Sequence, residues 1–215
     1  MRAVIFANGS ITDLTQAQAV LRAGDVLIAA DGGARHLQTL ELSPDILIGD
    51  FDSLSAEELD ALHASGSQLI QHPSRKDSTD LELAIQHALS LGAGEVLVLG
   101  ALGHRWDQTL ANLLLAAWEG FSTAQISLLD GAQELRLLRP GQSLQINGKP
   151  GDTVSLIPLC GDAHGILTRN LEYPLNDETL HFGSTRGISN VLLADTASVS
   201  LHEGMLMVVV IHLNK

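Results

Sequence analysis

A single cysteine, Cys160, excludes any intramolecular disulfide and fits a reducing compartment. Positive charge is scarce as well: 12 Lys and Arg stand against 25 Asp and Glu, a formal charge of −13 at pH 7. No Lys/Arg cluster forms, so the basic footprint of a nucleic-acid binder is missing. Acidity of this kind often only solubilises, but it is compatible with a cationic substrate, or with metal ions bridging to an anionic one. Long apolar runs are missing too. Met1 to Ser10 has no long apolar stretch with a cleavage site behind it, so no signal peptide is expected. The longest apolar run, Met205 to Ile211, falls far short of the about 20 residues a bilayer span needs and reads as a buried strand. The expectation is a cytoplasmic protein with no membrane and no nucleic-acid partner.

Several signatures of catalysis are absent. There is no G-x-x-x-x-G-K-[ST], which excludes a standard P-loop enzyme. No G-x-G-x-x-G follows the first apolar run, which argues against a dinucleotide-binding dehydrogenase. The nine histidines form no H-E-x-x-H pair, and one cysteine cannot build a thiolate zinc site. No G-x-S-x-G elbow appears. His36, His63 and His87 are expected on helix surfaces. No low-complexity linker or internal repeat is present.

What is present divides in two near residue 132. In the first part, apolar runs at residues 2–7, 25–30, 45–49, 67–71, 95–100 and 124–130 do not alternate, as in strands buried on both faces. Helical spacing lies between them, at residues 12–22, 33–40, 55–65, 79–91 and 108–118. The fourth is the clearest: Leu81, Ala84, Ile85, Ala88 and Leu89 form one stripe, with Asp77 or Ser78 as cap and Gly92 as stop. This alternation predicts an α/β domain with a parallel sheet over residues 1–131. Beyond it, helical spacing disappears. Short segments at 144–147, 153–159, 165–170, 179–183, 198–202 and 206–213 are cut by turn signals such as Arg139-Pro140-Gly141 and Asn176-Asp177. They predict an antiparallel β-sandwich over residues 132–215.

Parallel sheets bind ligands at the carboxyl ends of their strands, and the unusual residues gather there. One strand runs into Asp31-Gly32-Gly33, the next into Asp50-Phe51-Asp52-Ser53, the next through Arg75 and Lys76 to Asp77-Ser78-Thr79-Asp80, and another into Gly103-His104-Arg105-Trp106-Asp107. A single Asp after a strand is ordinarily a cap or turn residue. Four at one rim repel each other unless they share a cation. An all-oxygen set suits Mg²⁺, so Asp31, Asp50, Asp52 and Asp80 are the candidate ligands. Asp50 and Asp52 are two apart, and an extended backbone would point both the same way. Gly32 and Gly33 allow close backbone approach and open a helix whose amides favour anions. Lys76 and Arg75 are placed to neutralise phosphate, or are solvated surface. Arg105 beside Asp107 is an ion pair or part of a site.

These loops, in this order, resemble the thiamine pyrophosphokinase family. The second part matches as well, in Val154-Ser155-Leu156-Ile157-Pro158, in Leu171-Glu172-Tyr173-Pro174-Leu175 and in Gly183-Ser184-Thr185-Arg186-Gly187-Ile188-Ser189-Asn190. The resemblance implies an N-terminal Rossmann-like α/β domain for ATP and Mg²⁺, a C-terminal β-sandwich for thiamine, and a homodimer whose active sites lie between subunits. It implies transfer of pyrophosphate from ATP to the hydroxyl of thiamine, giving thiamine diphosphate and AMP. By motif, Asp31, Asp50, Asp52 and Asp80 would bind magnesium, and Asp50, Asp52 and Asp80 would support the transfer. Lys76, Asp77 and Thr79 would lie near the nucleotide phosphates, Arg105 and Asp107 near thiamine. Ser189 and Asn190 would contact thiamine from the partner subunit. The only aromatics of the second part are Tyr173 and Phe182.

Three rivals stay open at the level of sequence. One is a pyrophosphokinase for another alcohol, such as a hydroxymethyl pterin. Another is a phosphatase of the haloacid dehalogenase type, which also places D-x-D after an apolar strand, although Leu54 stands where a Thr or Val is usual. The third is a non-catalytic thiamine or nucleotide sensor of the same fold.

Overall fold

The structure, a computed structural model, describes residues 1–103 and 105–213. The chain divides into two compact units, Met1–Gly131 and Ala132–Lys215.

The first unit alternates strands and helices. In chain order it has β1 (Arg2–Phe6), α1 (Leu14–Ala19), β2 (Val26–Ala30), a 3₁₀ turn (Asp31–Gly33), α2 (Ala34–Thr39) and β3 (Ile46–Gly49). Then come α3 (Ala56–Ala64), β4 (Gln68–Gln71), α4 (Asp80–Ser90), β5 (Glu95–Leu99), α5 (Trp106–Leu115) and β6 (Gln125–Asp130). The six strands lie parallel in the order β6-β5-β1-β2-β3-β4. β1 is central, and Ala3, Val4, Ile5 and Phe6 are wholly inaccessible, which is why its sequence reads as one apolar run. The edge strand β4 is only half-buried.

The helices follow their apolar stripes but not always the expected ends. Leu81, Ala84, Ile85 and Ala88 bury the inner face of α4. Its cap is Thr79, whose hydroxyl oxygen accepts from the Glu82 amide, and not Asp77 or Ser78. Thr79 has the extended backbone a cap requires, and Ser78 is occupied in donating to the Glu82 carboxylate at 3.1 Å. α1 starts later than its spacing suggests, because Asp13 caps it and Thr12 is bonded to Asp130 at 3.0 Å. α5 starts at Trp106 and ends before Trp118. Ser55 and Glu58 close a capping box on α3.

The second unit is all strand. β7 (Gln133–Leu138), β8 (Ser143–Asn147), β9 (Thr153–Pro158) and β10 (Ala163–Arg169) are followed by β11 (Asn176–Leu180), β12 (Asn190–Val191), β13 (Thr196–Ser200) and β14 (Leu206–Ile211). Within it, β12-β9-β14-β7 form one antiparallel set and β11-β10-β13-β8 the other. Leu138, Leu156 and Val208 from the first share a core with Ile146, Ile166 and Val199 from the second. β14 is paired on both sides, by β7 and β9, so the apolar run seen in the sequence is a central strand.

Two strands escaped the sequence pattern, and β11 and β13 moved. β7 carries Glu134 and Arg136 among its leucines, and they pair with each other at 3.0 Å. β12 is only two residues long. Asn176-Asp177 reads as a turn but opens β11. Ile166 faces Glu178 and Leu167 faces Asn176, so Asp177 is an extra residue, a bulge with φ +58°. β13 begins two residues before its predicted start, since Thr196 already pairs with Asn147.

Candidate active site

β1 has β2 on one side and β5 on the other, so the strand order reverses there. At such a switch point the connections diverge and leave a crevice beyond the carboxyl ends. A cavity of about 560 Å³ lies there, lined by Ala7, Asn8, Gly9 and Ser10 after β1, Asp31 after β2, Asp50 after β3, and Gly100 to Gly103 after β5. The start of α4 adds Ser74, Lys76, Ser78, Thr79 and Asp80, and α5 adds Arg105, Gln108 and Asn112.

Three carboxylates form the acidic part of the rim. Asp31 leaves β2 with φ +47°, a left-handed conformation unusual for a residue with a side chain, and is buried. Glycine at position 49 makes room for it: a Cβ there would lie 3.0 Å from the Asp31 Cβ. Ser53 Oγ donates to Asp31 Oδ1 at 3.1 Å, and Asn8 Nδ2 approaches Oδ2 at 3.5 Å. Asp50 and Asp52 converge by a different route from the extended one expected. Phe51 has φ +66°, so the chain turns, and the Asp52 amide donates to Asp50 Oδ1 at 3.2 Å.

One oxygen from each of Asp31, Asp50 and Asp52 falls within 4.8 Å of the others. The electrostatics reflect this crowding. The Asp52 amide holds the Asp50 carboxyl below its ordinary range, with Ser74 and Lys76 adding to the effect. Asp52 is pushed up, first by the charge of Asp50 and further by Asp31 and Asp80. A hard divalent cation relieves this repulsion and accepts such an all-oxygen set, so the donors fit magnesium. Asp80, at the first position of α4, stands outside the trio: Lys76 Nζ pairs with its Oδ1 at 2.9 Å. Lys76, Thr79 and the amide end of α4 supply the donors on this side of the cavity.

The other candidates are placed as follows. Arg105 Nη2 and Asp107 Oδ2 are 2.5 Å apart and both exposed; Arg105 lines the cavity and Asp107 does not. That bond holds the Asp107 carboxyl below its ordinary range. Asp77 is exposed beside the cavity. Gly32 and Gly33 have a packing reason to be glycine: a Cβ on Gly33 would lie 1.9 Å from the Phe6 carbonyl oxygen, and one on Gly32 would strike Asn8 at 2.3 Å. His104 lies outside the described residues.

Ser189 and Asn190 belong to the second unit. Ser189 is exposed, with φ +61°, and its amide donates to Ser155 Oγ at 3.0 Å. Asn190 is buried: its Oδ1 accepts the amides of Tyr173 and Val191, and its Nδ2 donates to the Tyr173 carbonyl at 2.8 Å. That clamp holds the backbone of Tyr173, a residue that is 63% exposed.

Sequence reasoning passed over residues 7–10, although they leave the central strand and contribute four residues to the cavity. The signal was available, because every strand of a parallel sheet delivers its next residues to the same edge. Ser53 stands in the sequence only as part of a motif, and its bond to Asp31 has no sequence signature. His36 is not a surface helix residue: it is half-buried, and its Nε2 lies 2.8 Å from the Gly9 carbonyl oxygen.

Residues 17–128 match the family model for the thiamin pyrophosphokinase catalytic domain, and residues 142–206 match that for the thiamin pyrophosphokinase vitamin B1 binding domain. A thiamine pyrophosphokinase of Bacillus subtilis (strain 168) is 30% identical over 183 residues, 85% of each chain. The crystal structure of a thiamine pyrophosphokinase from Bacillus subtilis superposes with a TM-score of 0.87 at 28% identity, covering 99% of both chains. A thiamin pyrophosphokinase family protein from Enterococcus faecalis gives 0.83 at 28% identity over the whole of both chains.

Proposed function

The chain belongs to the thiamin pyrophosphokinase family, and we propose that the acidic rim of its first unit is where magnesium and ATP are held. Its activity is that of an ATP-dependent thiamine diphosphokinase, transfer of pyrophosphate from ATP to the hydroxyl of thiamine, with AMP as the other product. The other-alcohol, phosphatase and sensor readings are not favoured.

The observation that carries the proposed site is the convergence of Asp31, Asp50 and Asp52 within 4.8 Å at the edge of the cavity. These three would hold the magnesium ion, which when bound supplies neutralising charge at the phosphates. Asp80 completes the acidic wall and keeps Lys76 aimed along it through their 2.9 Å pair. Lys76, Thr79 and the amide end of α4 receive phosphate oxygens, with Asp77 at their edge. Arg105, paired with Asp107, lines the cavity at the start of α5. Gly32 and Gly33 hold the 3₁₀ turn close to β1 and so fix Asp31. The reaction asks mainly for alignment and charge neutralisation, and Asp50, Asp52 or Asp80 is available to take the hydroxyl proton.

Thiamine recognition is assigned to the second unit, through Ser189 and through Asn190 with the Tyr173 it holds. A homodimer in the cytoplasm completes the proposal. The exposed apolar stripe of α5, with Trp106, Leu110 and Leu114 at 86%, 58% and 47% exposure, supports self-association.

Asp52→Asn tests the rim. Turnover should fall at least about a hundredfold, while circular dichroism stays that of the wild type. A variant of near-normal rate removes Asp52 from the site.

A further inference from the structure

We propose that His36 is a positioning residue of the nucleotide site, holding residues 8–10 as a fixed wall of the cavity. The inference rests on reading that cavity as the ATP site.

After β1 ends, residues 7–10 have no regular structure of their own, yet all four line the cavity. They run beside the exit of β5. The Ala7 amide donates to the Leu99 carbonyl, that of Gly9 to Gly100, and that of Ser10 to Leu102, each at 2.8 Å. The approach is so close that a Cβ on Gly9 would lie 2.3 Å from the Gly100 oxygen and 2.4 Å from the Leu102 oxygen. Gly100 answers with φ +67°, and a Cβ there would lie 2.6 Å from the Ala7 oxygen.

Those bonds use backbone donors, which any sequence supplies. The Gly9 carbonyl is held instead by a side chain, His36 Nε2 at 2.8 Å. A carbonyl oxygen can only accept, so the ring must carry its hydrogen on Nε2. His36 comes from α2, the helix entered through Gly33, which packs so close to β1 that a Cβ there would lie 1.9 Å from the Phe6 carbonyl oxygen. The helix therefore grips the exit of β1 at two points, one by contact and one by hydrogen bond.

The grip matters because Gly9 has no side chain to limit its rotation. The residue before it, Asn8, lies over Gly32 and points Nδ2 at the Asp31 carboxylate. His36 thus acts through Gly9 and Asn8 on an acid of the rim without touching the cavity itself, since it is absent from the lining.

The test is steady-state kinetics of His36→Ala, His36→Gln and His36→Asn, with ATP and thiamine varied separately and melting temperature recorded. A Gln carboxamide nitrogen reaches as far as Nε2; that of Asn reaches only as far as Nδ1. Loss of one such bond should raise the KM for ATP about tenfold in the Ala and Asn variants, with the KM for thiamine unchanged. The Gln variant should stay within about threefold of the wild type. If the Ala variant does not fold, the Gln and Asn pair decides. Wild-type KM for ATP in the Ala and Asn variants overturns the inference. So does equal impairment of all three in both KM values and melting temperature, which is a packing role. A wild-type protein that makes no thiamine-dependent AMP overturns the ATP reading first, and the inference with it.

Discussion

The backbone amide of Asp52 donates to the carboxylate of Asp50 at 3.2 Å, across a Phe51 held at φ +66°. One bond thus draws two like charges together and spares only one of them: Asp50 is held low, and Asp52 is pushed up by the charge it faces. A third acid, Asp31, is buried beside them. Without a cation this is a source of instability built into the rim.

Magnesium alone should therefore stabilise the protein. At about a hundredfold excess over its dissociation constant, the melting temperature should rise roughly 5–10 °C. In Asp52→Asn most of that rise should vanish, with the metal-free variant melting no lower than the metal-free wild type. Differential scanning fluorimetry with and without Mg²⁺ checks this. An equal rise in both proteins places the ion elsewhere.

Gly33→Ala should damage folding more than binding. Its Cβ would sit 1.9 Å from the Phe6 carbonyl oxygen, in the backbone of the central strand, where nothing flexible can yield. A loss of about 3 kcal/mol in urea denaturation is expected. A variant of wild-type stability would show that the turn can move away from β1.

Much of this fold was legible because burial writes itself into sequence. β1, β2, β3 and β5 are apolar runs since side chains on both of their faces are buried, and α4 shows its stripe because Leu81, Ala84, Ile85 and Ala88 face inward. The acids were legible because each follows such a run. What stayed hidden was set by tertiary contact. The left-handed turns at Asp31 and Phe51 have no glycine to announce them. The bonds of the Asn190 carboxamide to the Tyr173 backbone have no counterpart in any sequence pattern. β7 was masked by the Glu134–Arg136 pair, which satisfies itself within the strand.

The second unit carries its own titratable clamp. Asp152 is buried, bonded to His212 Nδ1 at 2.9 Å and to the amides of Lys149 and Leu213 at 3.0 Å each. Burial alone raises its carboxyl, but the Lys149 amide, His212 and the Leu213 amide outweigh it and hold it below the ordinary range. A depressed folded pKa gives stability that is complete above the unfolded value, about 3.9, and lost as pH falls through the folded one. Asp152→Asn should cost about 1–3 kcal/mol at pH 7. The difference from wild type should shrink below about pH 4. A difference that stays constant to pH 2 in denaturation curves contradicts this clamp.

Self-association should depend on α5. Trp106, Leu110 and Leu114 lie one turn apart on an exposed stripe. The double substitution Leu110→Glu with Leu114→Glu should convert a dimer to a monomer in sedimentation equilibrium, with circular dichroism unchanged. A variant that remains dimeric moves the interface to another face.

The most direct test is chromatographic analysis of nucleotide and thiamine products from purified protein, ATP and thiamine, with Mg²⁺ or with excess EDTA. AMP and thiamine diphosphate should appear in equal amounts, only when thiamine is present and only with the metal. Products that persist in EDTA, or ADP appearing with thiamine monophosphate, contradict a magnesium-loaded acidic rim that transfers pyrophosphate.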